Sequence, residues 1–121
     1  MPSKPIPQGY KLFAVADQGY IWTFEPASRS KGLVGFIKYN GLSMTGTMVI
    51  EMLKRLPLRS NFYTVYLDNY FTSITLFNLL RNRLISACGT TRSKQKDIPQ
   101  LIRLLKAREV KLPWNTLCAV P

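Results

Sequence analysis

Histidine is absent from this 121-residue sequence, and cysteine occurs only twice, at Cys88 and Cys118. The two cysteines are far apart, and neither belongs to a Cys-x-x-Cys pair. Zinc sites built from cysteine and histidine are therefore excluded, as are catalytic triads that need a histidine. Two unpaired cysteines fit a reducing compartment such as the nucleus or the cytoplasm. Cys88 on its own is interpreted as a small residue of a strand.

Acidic residues are also scarce, with 6 Asp and Glu against 17 Lys and Arg, so the net charge is +11. Such a charge predicts a polyanionic partner, either nucleic acid or an acidic membrane surface. A basic surface that only keeps the protein soluble is the alternative. No apolar run approaches the roughly 20 residues that span a bilayer. The opening MPSKPIPQGYK lacks the apolar core of a secretory signal. We therefore expect nucleic acid, and no membrane, as the partner.

What is present is enough for a packed core, because 46% of the residues are hydrophobic and 19% are charged. A chain of 121 residues corresponds to one domain or part of one, since domains centre on roughly 100–150 residues. Along the chain, segments with strand patterns alternate with segments with helix patterns, and this alternation predicts an α/β fold.

Two segments rich in aromatic and β-branched residues predict an antiparallel hairpin near the N-terminus. They are Tyr10–Ala16 and Tyr20–Glu25, separated by a turn-forming triplet that ends in Gly19. Pro26 closes the second strand. Residues Ala27–Leu42 contain three glycines and show no sustained period, so we expect a long exposed loop.

Apolar residues at helical spacing predict a helix over Met44–Leu56, with Ser43 available as its N-cap. The next segment, Phe62–Leu67, is nearly continuous in apolar and β-branched residues. That composition predicts the innermost strand of the fold, covered on both faces as in a parallel sheet.

A second helix and a return strand follow. The helix is predicted over Ser73–Arg83, with Thr72 or Ser73 as its cap, and the strand over Ile85–Gly89. The short links between strand, helix and strand predict a right-handed parallel crossover. A third helix is expected to start near Pro99.

Asp68 stands directly after the predicted strand, within the sequence LDNYFTS. In open α/β sheets, functional groups gather beyond the carboxyl ends of the strands. A carboxylate there can reach a metal ion without being buried, and Mg²⁺ accepts one or two such carboxylates. The alternative interpretation of Asp68 is an ordinary turn or capping residue.

Three motifs in this order resemble the middle of piggyBac-family transposases: MPSKPI followed by GYK, VYLDNYFTS followed by LF, and ACGTTR. The resemblance extends from Met1 to about Ala119, and DNYFTS followed by CGTTR is its most specific part. The family's domain resembles RNase H and uses three aspartates to hold two metal ions for hydrolysis and strand transfer on DNA. The resemblance implies that Asp68 is the second of these aspartates, a catalytic residue and a Mg²⁺ ligand.

The resemblance also implies that the other two aspartates lie outside this sequence, one upstream and one downstream. One carboxylate cannot hold two cations, so the chain alone is expected to be inactive and to bind Mg²⁺ weakly or not at all. The strand with the first aspartate is central in an RNase H-like sheet. We therefore expect residues 1–121 to form an incomplete RNase H-like domain, a mixed sheet of the hairpin and the parallel strand–helix–strand unit with flanking helices. The two parts would pair directly, or the missing strand would be supplied by sequence outside residues 1–121. A complementing transposase chain or self-association is the expected protein partner.

Basic residues indicate where DNA binds. Three of them follow the return strand on the side where Asp68 is expected, and two match the family's MPxKP and GxK positions. Such residues contact phosphates and position DNA without reading its sequence, and a solvated loop is the alternative. The residues with this predicted role are Arg92, Lys94, Lys96, Lys4 and Lys11.

The sequence thus predicts a nuclear fragment of a piggyBac-type nuclease and strand-transfer domain, inactive alone, with residual non-specific DNA binding. The alternative is a small basic module, domesticated from a transposase, that binds nucleic acid or protein. Trp22 and Trp114 could stack on bases, although a core position is the commoner role of such aromatics.

Overall fold

The structure is a computed structural model, and it describes residues 9–27, 37–57, 63–92, 95, 97–106, 113–117 and 119. The chain divides into two compact units, Met1–Asn61 and Phe62–Pro121. Within the described residues, the first unit contains two strands and a helix, and the second contains two strands and two helices. Each unit has its own two-stranded sheet.

The first unit begins with the predicted hairpin, formed by β1 (Leu12–Asp17) and β2 (Tyr20–Pro26). The strands are joined by a two-residue turn in which φ is 45° at Gln18 and 85° at Gly19. Positive φ at both positions is the type I′ geometry, whose twist matches that of antiparallel strands. Glycine adopts this conformation without strain, which explains its place at the second position.

The hairpin keeps much of its apolar surface exposed. Its register shifts between Val15 and Ala16, which leaves Trp22 as the extra residue of a β-bulge. The Trp22 ring meets the Tyr20 ring edge to face, with 5.0 Å between the centroids. Trp22 is 49% exposed, so its interpretation as a core residue is wrong for this structure. The large exposed residues of the hairpin are Leu12, Tyr20, Ile21, Trp22 and Phe24.

Helix α1 (Met44–Lys54) follows residues 37–43, which have no helix or strand. The side-chain oxygen of Ser43 accepts a hydrogen bond from the N–H of Gly46 at 3.1 Å. This bond satisfies one of the N–H groups that the start of a helix leaves unpaired, as predicted for the cap. The helix is buried over most of its circumference, with a continuous buried run at residues 46–50.

Arg55 joins the end of α1 to β2. Its guanidinium donates hydrogen bonds to the Glu25 carboxylate at 3.1 Å and to the Thr23 hydroxyl at 3.4 Å. Lys54 pairs with Glu51 at 2.8 Å, and this hydrogen bond raises the pKa of Lys54 above its usual value. Exposed ion pairs of this kind contribute little stability. Their role here is to fix local geometry.

The second unit contains the predicted strand–helix–strand arrangement: β3 (Thr64–Leu67), α2 (Ile74–Asn82) and β4 (Ser86–Gly89). The two strands are parallel along their whole length. Parallel strands need a long crossover connection, and α2 is that crossover, packed against β4. The buried apolar residues among the described part of this unit are Leu76, Leu80, Ile85 and Ile98.

Helix α2 ends in a Schellman motif with a leucine where glycine is usual. The N–H of Ile85 donates to the carbonyl oxygen of Leu80 at 3.0 Å, and the N–H of Leu84 donates to that of Arg81 at 2.9 Å. These bonds satisfy carbonyl oxygens that the last helical turn leaves unpaired. Leu84 is held at φ 60°, a left-handed conformation that strains any residue with a Cβ.

The prediction that Phe62–Leu67 is an innermost strand covered on both faces is wrong for this structure. Val65 and Leu67 are half-buried, whereas Thr64 and Tyr66 are exposed, Tyr66 by 79%. Within the described residues β3 has one neighbouring strand, and the helix that packs on this sheet is α2. A continuous apolar run shows that a strand can be covered, but not how many elements cover it. Phe62 itself lies outside the described residues.

Of the two alternatives for the sheet, direct pairing of the hairpin with the parallel pair is wrong for this structure, and a strand supplied from outside residues 1–121 stays a prediction. The hairpin and the parallel pair form two separate two-stranded sheets, and direct pairing between them is absent from the described residues. The mixed α/β composition is confirmed. Helix α3 (Gln100–Lys106) begins directly after Pro99, as predicted. No helix in the part of the chain that the structure describes is long and apolar enough to cross a membrane.

Candidate functional site

Asp68 begins a tight turn at the carboxyl end of β3. Its backbone carbonyl oxygen accepts hydrogen bonds from the N–H groups of Phe71 at 3.0 Å and Thr72 at 3.2 Å, and from the Thr72 hydroxyl at 3.0 Å. The chain then enters α2 through Ser73, whose side-chain oxygen accepts the N–H of Leu76 at 3.2 Å. The DNYFTS motif is therefore a closed turn followed by an N-cap. Of the two predicted caps, Ser73 is the one used.

The side chains of Asp68 and Arg92 both hydrogen-bond to Asn69. Asp68 is exposed, and its Oδ1 accepts the N–H of Asn69 at 2.7 Å. The Oδ1 of Asn69 accepts a hydrogen bond from Nη2 of Arg92 at 3.4 Å. Asn69 thus connects an exposed carboxylate to an exposed guanidinium at the carboxyl end of the parallel pair. This arrangement can present a metal ligand and a phosphate contact side by side.

Strand β4 ends against the same turn at Gly89. A Cβ at this position would lie 2.5 Å from Oγ1 of Thr72 and 2.6 Å from the carbonyl oxygen of Leu67. These distances leave no room for a side chain unless the backbone moves. The glycine of the CGTTR motif is therefore explained by the close approach of two backbone segments.

After β4, the chain returns to the Asp68 turn at Gln95. Its Nε2 donates a hydrogen bond to the carbonyl oxygen of Thr72 at 2.9 Å. The backbone carbonyl oxygen of Gln95 in turn accepts a hydrogen bond from Nη2 of Arg103, on α3, at 2.7 Å. Gln95 and Arg103 are half-buried, and Thr72 is buried. The turn is thus held by a segment far from it in sequence.

The predicted DNA-binding residues are distributed over several parts of the chain. Arg92 reaches the Asp68 turn, as the order of the motifs predicts. Lys11 lies in the first unit, where its ammonium stands 5.0 Å from the centroid of the Phe13 ring, a cation–π contact. The other three, Lys4, Lys94 and Lys96, lie outside the described residues.

The described residues contain no group of three or more aspartate, glutamate, histidine or cysteine side chains placed to hold a metal ion. Asp68 offers a single carboxylate, which suits one position in the coordination of a hard cation such as Mg²⁺. The predicted core position of Trp114 is wrong for this structure, because the residue is almost fully exposed.

Three residues that form or hold the turn were not predicted from the sequence: Asn69, Gln95 and Arg103. Asn69 is the neighbour of Asp68, and its position after a strand was the signal that could have identified it. Gln95 and Arg103 gave no local signal, because each contacts a group that is distant in sequence.

Comparison with known proteins places these motifs in a family. The profile of the family described as Transposase IS4 matches residues 1–120. The human protein PiggyBac transposable element-derived protein 2 is 34% identical over 96 residues, which cover 78% of this chain and 16% of that protein. The cryo-EM structure of a piggyBac transposase synaptic complex with hairpin DNA superposes with a TM-score of 0.64 and 28% identity.

The chain is similar to only a part of these relatives. The superposition covers 85% of this chain and 21% of the solved transposase chain. The α/β arrangement of an antiparallel hairpin and a parallel strand pair is consistent with that match. Since the family profile spans nearly the whole sequence and both relatives are piggyBac proteins, the resemblance of the motifs is confirmed, and the chain belongs to the IS4 and piggyBac-type transposase family.

Proposed function

We propose that this chain is part of the nuclease and strand-transfer domain of a DNA transposase, with Asp68 as a metal-ligating carboxylate and Arg92 as a phosphate contact. The observation that carries the proposal is the turn after β3, where Asn69 connects the exposed Asp68 to the exposed Arg92. Functional groups of α/β folds assemble at this end of the strands. Family membership, and a solved relative that is a complex with hairpin DNA, support DNA as the partner.

Asp68 fits one ligand position of a magnesium ion. Mg²⁺ binds one or two carboxylates and keeps several waters, and the hydrogen bond from Asn69 restrains the carboxylate in one orientation. A divalent cation supplies charge stabilisation at a phosphoryl group and activation of a bound water. A pair of cations about 4 Å apart needs more carboxylates than Asp68, and the described residues do not provide them. The chain alone is therefore inactive in this proposal.

Binding to DNA rests on charge. The net charge of +11 favours any phosphate backbone. Contacts to phosphates position a protein without reading sequence, so the expected binding is non-specific, with a Kd on the order of 10⁻⁴–10⁻⁶ M. Lys4, Lys11, Lys94 and Lys96 are proposed as further phosphate contacts. A nuclear location follows from the proposed DNA partner.

Fluorescence anisotropy with a labelled DNA duplex tests the DNA part of the proposal. We expect affinity to fall steeply with salt, and Arg92→Ala to reduce the slope of log K against log salt by about 1. The matched control is Arg81→Ala, because Arg81 is exposed in the last turn of α2, at the end of the helix away from the Asp68 turn. An affinity that does not change with salt would contradict the electrostatic account. Equal effects of the two substitutions would contradict the role of Arg92.

Nicking of supercoiled plasmid in Mg²⁺ or Mn²⁺ tests the metal part. We expect no cleavage by the chain alone, because one carboxylate does not assemble a two-metal site. Asp97→Ala is the control for Asp68→Ala, since it removes another exposed carboxylate of the same unit. Cleavage that is lost in Asp68→Ala and kept in Asp97→Ala would show that more ligands are present than we propose.

A second candidate is a basic module that binds nucleic acid or protein and has no nuclease role. The exposed apolar residues of the hairpin favour it, because exposed apolar surface marks interaction sites. The same surface supports self-association or binding to a complementing transposase chain. The effect of Mg²⁺ on DNA affinity distinguishes the two candidates. If the chain is a transposase fragment, we expect Mg²⁺ to tighten DNA binding and Asp68→Ala to remove this gain. If the chain is the binding module, we expect Asp68→Ala to leave the DNA affinity in Mg²⁺ unchanged.

A further inference from the structure

A continuous path of hydrogen bonds runs from α3 to the backbone of Asp68. Arg103 donates to the carbonyl oxygen of Gln95 at 2.7 Å, and the Gln95 side chain donates to the carbonyl oxygen of Thr72 at 2.9 Å. The Thr72 hydroxyl donates to the carbonyl oxygen of Asp68 at 3.0 Å. We call Gln95, Thr72 and Arg103 the Gln95 brace. Of these three residues, only Thr72 belongs to the family motif around Asp68.

The brace restrains the turn at Thr72, through the hydrogen bond from Gln95. Thr72 is only 5% exposed, so its carbonyl oxygen would have little access to water if the Gln95 amide were removed. A buried acceptor without a donor is unfavourable, and the turn would move to recover a partner. Gly89 of β4 also lies close to Thr72, since a Cβ at Gly89 would lie 2.5 Å from the Thr72 hydroxyl oxygen. Both contacts restrict the movement of the turn.

We propose that Gln95 is a positioning residue for Asp68, which holds the turn so that the carboxylate is presented to a divalent cation. This inference rests on the proposed function, because it needs Asp68 to be a metal ligand. Groups that orient a metal ligand through hydrogen bonds matter nearly as much as the ligand itself. In this role Gln95 touches neither metal nor DNA. It acts through Thr72 and the backbone of Asp68.

Iron-mediated backbone cleavage of the full chain tests this role, because Fe²⁺ with ascorbate and hydrogen peroxide cuts the chain next to its binding site. Gln95→Met keeps the length of the side chain and removes the donor. Gln100→Met is the matched control, since Gln100 is an exposed glutamine at the start of α3. We expect cuts at the Asp68 turn in the unsubstituted chain and in Gln100→Met, and none in Asp68→Ala. In Gln95→Met the cuts are expected to fall by about tenfold while circular dichroism shows an intact fold.

The outcomes separate the two proposals. Cuts in Gln95→Met that equal those of the unsubstituted chain would overturn the positioning role and leave the metal role of Asp68 standing. If the unsubstituted chain shows no cuts at the Asp68 turn, or if the cuts persist in Asp68→Ala, the metal role and the positioning role are both overturned.

A second variant covers the case in which Gln95→Met does not fold. Thr72→Val removes the hydroxyl at the end of the same path and keeps the shape of the side chain. A folded Thr72→Val chain with a similar loss of cuts supports the path, and unchanged cuts overturn it. Unfolding of both variants also overturns the positioning role, because these contacts would then support the whole fold.

Discussion

The hairpin of β1 and β2 and the parallel pair of β3 and β4 are both two-stranded sheets, but their apolar side chains are covered differently. In the hairpin, Trp22 is 49% exposed and Phe24 is 60% exposed. In the second unit, Leu76 and Leu80 are completely buried on the helix that connects the two strands. The same number of strands has thus led to a covered sheet face in one unit and to a largely exposed apolar surface in the other.

The connection between the strands explains this difference. Antiparallel strands can be joined by a two-residue turn, and the turn at Gln18 and Gly19 adds no element that could cover the sheet. Parallel strands need a longer crossover, and here the crossover is α2, which packs on β4. A parallel unit therefore includes its own cover for one face. A tight hairpin depends on other elements for the same purpose.

The largest expected effect is the loss of a buried side chain from α2. Leu80→Ala is expected to lower the free energy of unfolding by about 2–5 kcal/mol, because the site is fully buried. Phe24→Ala removes a larger side chain from the exposed hairpin, and we expect a change within about 0.5 kcal/mol. Chemical denaturation followed by circular dichroism measures both. An equal loss for Phe24→Ala would mean that the hairpin surface is covered in solution, for example by self-association.

An intermediate effect is expected where β4 meets the Asp68 turn. Gly89→Ala places a Cβ 2.6 Å from the carbonyl oxygen of Leu67, and overpacking of this kind costs about 1–3 kcal/mol. Gly9→Ala is the control in the first unit, because no atom lies within 4 Å of a Cβ there. Thermal unfolding of the two variants measures the difference. A Gly89→Ala chain as stable as Gly9→Ala would show that the two backbone segments are not so close in solution.

The smallest expected effect is the stability lost when a helix N-cap is removed, and it can be compared between the two units. Ser43 and Ser73 each accept an N–H from the first turn of their helix, at 3.1 Å and 3.2 Å. Replacing either serine by alanine is expected to cost about 1 kcal/mol. Denaturant midpoints at constant m-value measure this cost. A much smaller loss for Ser43→Ala would indicate that the buried face of α1, and not its cap, holds that helix in place.

The elements could be predicted because each has a local signal in the sequence. Gly19 marks the hairpin turn, Ser43 and Ser73 mark helix starts, and the observed boundaries differ from the predicted ones by a residue or two. The cover of β3 could not be predicted, because a continuous apolar run does not show which elements will pack on it. Direct pairing between the hairpin and the parallel pair was wrong for the same reason. Sheet order depends on contacts between distant segments.

The candidate site was predictable in part. The position of Asp68 after a parallel strand, and of Arg92 after the next one, follows from the order of the elements, and both are found at the same turn. The roles of Asp68 in metal binding and of Arg92 in DNA binding stay predictions. The contact from Gln95 to Thr72 had no sequence signal, since a glutamine in a polar segment is typical of a solvated loop.

Leu84 shows where this protein could be made more stable by design. Its left-handed backbone at φ 60° stores strain of about 1–2 kcal/mol, and its exposed side chain contributes little packing. A glycine there would release this strain, partly offset by about 0.4–1 kcal/mol from the greater freedom of glycine in the unfolded chain. The residue lies at the opposite end of α2 from the Asp68 turn. An engineer could therefore add stability at this link without changing the chemistry of the candidate site.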